Sequence, residues 1–146
     1  MNDLLLIANV AGRRCAFCAI SIRSVIDIGT ISPIPGAPEM VLGLAALRSQ
    51  TLTVLDCRRA IGEHVSELAT DARAAVVDVD GHAYALIVDS IEDITESASQ
   101  VDTILGGFGA NWARIAHGIV ETPGGPALLL DINRIVECPA PTHRAA

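Results

Sequence analysis

The chain has no lysine: its ten basic residues are all arginine. That absence removes the lysine of a nucleotide-binding loop, the Schiff-base lysine and the lysine general base. No apolar run approaches the ~18 residues that a bilayer-spanning helix needs. The first residues, MNDLLLIANV, are apolar from Leu4 to Ala8, but Asp3 stands where a signal peptide carries positive charge. The segment therefore reads as a β-strand and not as a targeting peptide. The net charge of −7 leaves little to gain from counterion release on a phosphate backbone, which argues against nucleic acid as a partner. A cytoplasmic protein with reduced cysteines is expected.

Catalytic and metal signatures are equally sparse. There is no Gly-x-Ser-x-Gly elbow and no calcium-loop spacing. His64, His82, His117 and His143 form no ligand-spaced pair. The run Gly106-Gly107-Phe108-Gly109 has the glycine content of a phosphate cradle but lacks the Lys and the Ser or Thr, so it reads as a flexible loop. Asp89, Glu92, Asp93 and Glu96 read as a solvated strand edge. Cys15 and Cys18 are the one Cys-x-x-Cys pair; Cys57 and Cys138 stand alone. The pair suggests a thiol-redox or metal-binding β protein as one functional reading. Against it, strand positions three apart point to opposite faces, so the two sulfurs diverge if the segment is extended. The sequence thus predicts no metal, no cofactor and no enzyme.

At 146 residues the chain makes one domain, or two small lobes sharing a core, and 51% apolar content is ample for burial. Short strands and turns dominate. Strands are expected at Leu4 to Val10, Cys15 to Ile22, Thr51 to Cys57, Ile115 to Glu121 and Ala127 to Ile132. Asp80-Gly81, between Arg73 to Val79 and His82 to Val88, is the clearest hairpin signal. Asp89 to Ile94 continues extended. Arg23 to Ile28 fits helix or strand spacing equally, and Glu39 to Leu47 is a strand or a turn of helix running into one. Pro33, Pro35 and Pro38 keep Gly29 to Pro38 irregular. Helix is limited to a turn or two within Arg58 to Asp71 and a short piece at Asn133 to Glu137. The two halves share a coarse pattern of hairpin, loop, apolar strand and Asp, with no clear repeat. The fold class is all-β with little helix. Residues 1–137 form the domain, and 138–146 are expected to be a flexible tail.

One stretch remains, Ile34 to Gly62, IPGAPEMVLGLAALRSQTLTVLDCRRAIG. Its apolar run Val41 to Leu47 ends in Arg48 just before a polar break, which places a guanidinium at a strand end. Arginine is enriched among interface hot spots because its planar group combines packing with several donors. The stretch resembles the segment of CheW-type chemotaxis coupling proteins written I-x-x-x-P-x-x-[FVI]-x-G-[VL]-x-N-L-R-G-x-x-x-P-V-[IV]-D-L-R. The matches are Ile34, Pro38, Val41, Gly43, Leu44, Leu47, Arg48, Val54, Leu55, Asp56 and Arg58. GHAYALIVDSIEDI and ALLLDINRIV follow in the family's order, and Val25 to Ile28 fits its opening. Ala46, Ser49 and Thr53 depart from the pattern, standing where the family has Asn, Gly and Pro.

The resemblance implies two SH3-like five-stranded β-barrel lobes over a shared core, and no catalysis. It implies an adaptor that links the cytoplasmic tip of a chemoreceptor to the regulatory domain of a CheA-type histidine kinase. Such a protein sits at receptor arrays through its partners, without inserting into the membrane. Family analogy places Val25, Gly43, Leu47 and Arg48 on the receptor side.

Overall fold

A computed structural model describes residues 4–62, 73–96 and 109–137. The sequence expectations for the tail 138–146, for the glycine loop up to Phe108, for His64 and His143 and for Cys138 lie outside those residues.

Ten strands build two five-stranded sheets. The first hairpin joins β1 (Leu4–Val10) to β2 (Arg13–Cys18) through Ala11 and Gly12, at φ 52° and 78°. Both central residues of a two-residue hairpin take positive φ when the turn follows the right-handed strand twist. β3 (Ser24–Asp27) resolves the ambiguity at Arg23 to Ile28 in favour of strand, and β4 (Val41–Leu47) does the same for Glu39 to Leu47. β5 (Gln50–Asp56) leads into α1 (Cys57–Ala60). β6 (Arg73–Val79) and β7 (His82–Val88) form the Asp80-Gly81 hairpin, with those residues at φ 52° and 82°. β8 (Ser90–Glu96), α2 (Ala110–Ile115), β9 (Ala116–Thr122), β10 (Gly125–Leu130) and α3 (Ile132–Glu137) complete the order.

Two expectations need correction. The strand expected at Cys15 to Ile22 ends at Cys18, and a 3-10 turn at Ala19–Ser21 follows it. The strand expected from Ile115 begins at Ala116, after a short helix, α2, that includes Ile115. Six residues are too few to display a helical period, yet a signal was present: Trp112 and Ile115, one turn apart, are both buried.

The sheets run β8-β1-β2-β10-β9 and β3-β6-β7-β5-β4. The two orders are the same design. In each, an edge strand pairs with a tight hairpin, whose second strand lies parallel to the inner strand of another hairpin. Each sheet's inner strand then runs into a short helix: β5 into α1 and β10 into α3. The coarse likeness of the halves is therefore a repeated topology. The chain crosses between sheets twice in the process. It leaves the first sheet after β2 to supply β3, and leaves the second after β7 to supply β8.

The inner strands are buried on both faces, and alternation decides which core each residue joins. On β5, Leu52 and Val54 enter the interior of the second lobe, while Leu55 faces a larger core between the lobes. On β10, Ala127 and Leu129 enter the first lobe's interior, while Leu128 and Leu130 face the shared core. Two small barrels thus enclose their own side chains and press together over a third cluster containing Phe17, Met40, Leu86 and Trp112.

β2 applies the same rule to its thiols. Cys15 is fully buried in the shared core, whereas Cys18 packs against the first lobe's interior. Their sulfurs lie on opposite faces, and burial pushes the Cys15 thiol up to about 12. Burial also raises Cys57. A thiolate is the nucleophile and metal ligand, so neither residue is poised for redox or metal chemistry near neutral pH.

Candidate functional site

The second lobe closes on itself at a seam. After β3 the chain runs to Ser32, which exchanges two backbone hydrogen bonds with Leu44 of β4. Ser32 N–H donates to Leu44 O at 2.8 Å, and Leu44 N–H donates to Ser32 O at 2.9 Å. Gly43 makes this approach possible. Its φ is 146°, and a Cβ there would overlap the Ser32 carbonyl, standing 2.7 Å from its carbon. Only glycine combines that backbone with that contact.

Arg48 sits at the tip of the β4–β5 hairpin. Leu47 pairs with Gln50, which leaves Arg48 and Ser49 as the two turn residues. Arg48 itself adopts φ 58°, so the turn forms although Ser49 replaces the family's glycine. The side chain is exposed. Arg23, just before β3, reaches this turn: its Nη1 donates to Gln50 Oε1 at 3.1 Å and to Asp78 Oδ1 at 3.0 Å. That bridge ties the β3 end of the seam, including half-exposed Val25, to the hairpin carrying Arg48. Leu44 and Ile34 add exposed apolar surface along the same seam.

Of the four residues marked by resemblance, Val25 and Arg48 present side chains to solvent. Gly43 shapes the backbone, and Leu47 is half-buried against the second lobe's interior. Sequence reasoning missed the Arg23–Gln50–Asp78 bridge and Ser32. No local pattern announces either, because both depend on strands distant in the chain.

The Asp-x-Arg that ends the central stretch has a separate role. Asp56 is 1% exposed and closes β5. Its Oδ1 accepts from the Arg58 backbone N–H at 2.9 Å, capping α1, and from Arg58 Nε at 3.1 Å. Its Oδ2 accepts from Arg58 Nη2 at 3.0 Å. This fork-on-fork pairing raises the Arg58 pKa above its ordinary value. Arg58 Nε also lies 3.8 Å from Asp89, in the crossover between β7 and β8. Asp89 in turn accepts from Gly12 N–H at 2.9 Å. One carboxylate–guanidinium–carboxylate chain therefore links the second lobe to the first lobe's opening turn. Asp131 repeats the capping half in the first lobe, accepting from the Arg134 backbone N–H and lying 3.4 Å from Arg134 Nε.

The acidic segment is an edge strand, as expected, but Asp89 and Glu92 are engaged. Glu92 accepts from Asn9 Nδ2 at 2.9 Å and pairs with Arg14. The hydrogen bond from Asn9, and then Arg14, lower its pKa from the ordinary 4.5. A carboxyl depressed in the folded state stabilises the fold above its unfolded value and loses that contribution as pH falls through the folded one. The stability difference between the native chain and Glu92→Gln is expected to be present at neutral pH and to shrink as pH falls through and below the ordinary carboxylate range. Denaturant titrations of both proteins across that range check it; a pH-independent difference contradicts it.

Among the described residues, no group of three or more His, Cys, Asp or Glu side chains is placed to hold a metal ion, and no helix is long and apolar enough to cross a membrane. What the geometry offers is a structured rim with an arginine at its tip and apolar side chains along its length. The CheW-like domain model matches residues 4–139, nearly the whole chain.

The chain belongs to the CheW-like domain family.

The solved structure of the scaffolding protein TtCheW from Thermoanaerobacter tengcongensis has the same fold, with a TM-score of 0.79 over 90% of each chain at 19% identity. No curated protein matches the sequence. Membership accounts for the two five-stranded lobes and for the order of the three sequence motifs. The CheW-like departures at Ala46, Ser49 and Thr53 all fall on the β4–β5 hairpin. They alter its surface and its turn without disturbing its pairing.

Proposed function

We propose that this chain is a non-enzymatic adaptor in chemosensory signalling, joining the cytoplasmic tip of a chemoreceptor to the regulatory domain of a CheA-type histidine kinase. On this reading residues 1–137 act as one CheW-like unit, held at receptor arrays by its partners. The observation that supports it is the second lobe's exposed surface: Arg48 at the β4–β5 tip, Leu44 on β4 and Val25 on β3, with Arg23 bridging the β3 end to Gln50 beside that tip. A helical receptor hairpin supplies what such a rim takes: an apolar stripe for Val25 and Leu44, and carboxylates or helix C-terminal carbonyls for a guanidinium. In this role Gly43 positions the rim, and Leu47 anchors it.

Arg48→Glu is expected to weaken binding to a receptor-tip fragment by about 2 kcal/mol or more, the scale of a hot spot, with unfolding unchanged. Arg48→Gly separates the two roles of the position. It relieves a positive φ that costs an L-residue roughly 1–2 kcal/mol, so the protein gains stability while it loses affinity. Calorimetric titration with receptor-tip fragments, and separately with the kinase regulatory domain, tests the reading. Wild-type affinity in Arg48→Glu removes Arg48 from the interface; binding to neither partner removes the adaptor role.

A further inference from the structure

The first lobe carries a cavity of about 540 Å³ on the side of the β1–β2 turn. Its walls are that turn and the start of β2, Trp112 of α2, Ile119 of β9, and Pro126 and Leu128 of β10. The volume falls within the range of small-molecule sites, and the lining mixes polar and apolar surface. Its charge is unusual for this protein. The chain is acidic overall, yet the only charged residues among the described ones lining the cavity are Arg13 and Arg14.

Both guanidiniums are held in place. Arg13 lies over the Trp112 ring, 5.4 Å from its centroid, so the indole fixes its plane. Arg14 pairs with Glu92 through Nη1 and donates to Thr122 Oγ1 at 3.0 Å through Nη2. Its Nε–H is buried and meets no protein acceptor. Ile119, Leu128, Pro126 and the indole supply an apolar wall beside the two cations.

We propose that this cavity is a binding site for a small organic carboxylate with an apolar or aromatic body. The carboxylate is received by Arg13 and Arg14, and the body packs against Ile119, Leu128 and Pro126. The site belongs to the first lobe and shares no residue with the Arg48 rim, so it stands independently of the adaptor reading.

Trp112 is the chain's only tryptophan, so intrinsic fluorescence reports on the site directly. Phenylacetate titrated into the full chain is expected to change that emission saturably. Its neutral isostere phenylacetamide is expected to bind about tenfold more weakly or worse, because it forfeits charge-assisted hydrogen bonds. Arg13 is exposed, so Arg13→Gln leaves the fold intact and is expected to weaken phenylacetate by a similar factor. Ile119→Phe, which fills the cavity with both arginines present, is expected to abolish the response. The proposal is overturned by an absent or non-saturating response to phenylacetate, by equal affinity for the amide, or by wild-type affinity in either variant.

Discussion

Asp56→Ala is expected to cost about 3–5 kcal/mol of folding stability, the range for removing one partner from a buried ion pair. The substitution takes the bidentate partner from the Arg58 guanidinium at the lobe junction and leaves it the longer contact to Asp89 at 3.8 Å. It also deletes the α1 cap, worth roughly 1 kcal/mol by itself. Domains of this size have about 5–15 kcal/mol in total, so the variant comes close to unfolding at ambient temperature. The Asp27–Arg73 pair provides the contrast. Its side chains are 80% and 57% exposed at 3.5 Å, and solvent screening limits such pairs to about 1 kcal/mol or less. Denaturant melts of Asp56→Ala beside Asp27→Ala test the claim, and equal losses in the two variants would falsify it.

Gly43→Ala is expected to cost on the order of 3 kcal/mol. Backbone strain at its positive φ contributes roughly 1–3 kcal/mol, and overpacking against the Ser32 carbonyl contributes roughly 1–3 kcal/mol more. The damage is local in origin. The Ser32–Leu44 bonds must part for the new methyl to fit, so the Leu44 amide loses protection against hydrogen exchange before the shared core does. A Leu44 amide as protected as in the native chain would show that the seam tolerates a side chain. The comparison with Arg48→Glu is informative. Both are expected to impair receptor binding, but only Gly43→Ala does so by opening the barrel.

The fold was legible where its chemistry is local. Asp80-Gly81 and Ala11-Gly12 announced their hairpins because a two-residue loop needs residues that accept positive φ. The opposed faces of Cys15 and Cys18 followed from strand geometry alone. Partner choice between strands was not legible. β10 is aliphatic on both faces, and β5 carries Leu52 and Val54 on one face and Leu55 on the other, so alternation could not say which residues enter a barrel and which face the junction. The motif Asp56-Cys57-Arg58 was visible as a pattern, but its function as a lock depends on Asp89 and Gly12, which only folding brings near. At the rim, resemblance marked Gly43 and Arg48 alike. Geometry separates them into a residue that permits an approach and a residue that presents a charge.

The two crossings between sheets govern the order in which the molecule can be assembled as it is synthesised. β1 and β2 emerge before the second lobe's strands, yet their own lobe waits for β8, β9 and finally β10. The second lobe has all its strands once β7 has emerged. On a ribosome the lobe carrying the Arg48 rim is therefore the first that can close. The opening hairpin's β1 edge must remain unpaired until β8 has emerged, and its β2 edge until β10 has. Pairings between strands so far apart in the chain are slow to form, and Arg13 and Arg14 on β2 and Glu92, Asp93 and Glu96 on β8 are the charged groups that keep waiting edges from meeting the wrong strand.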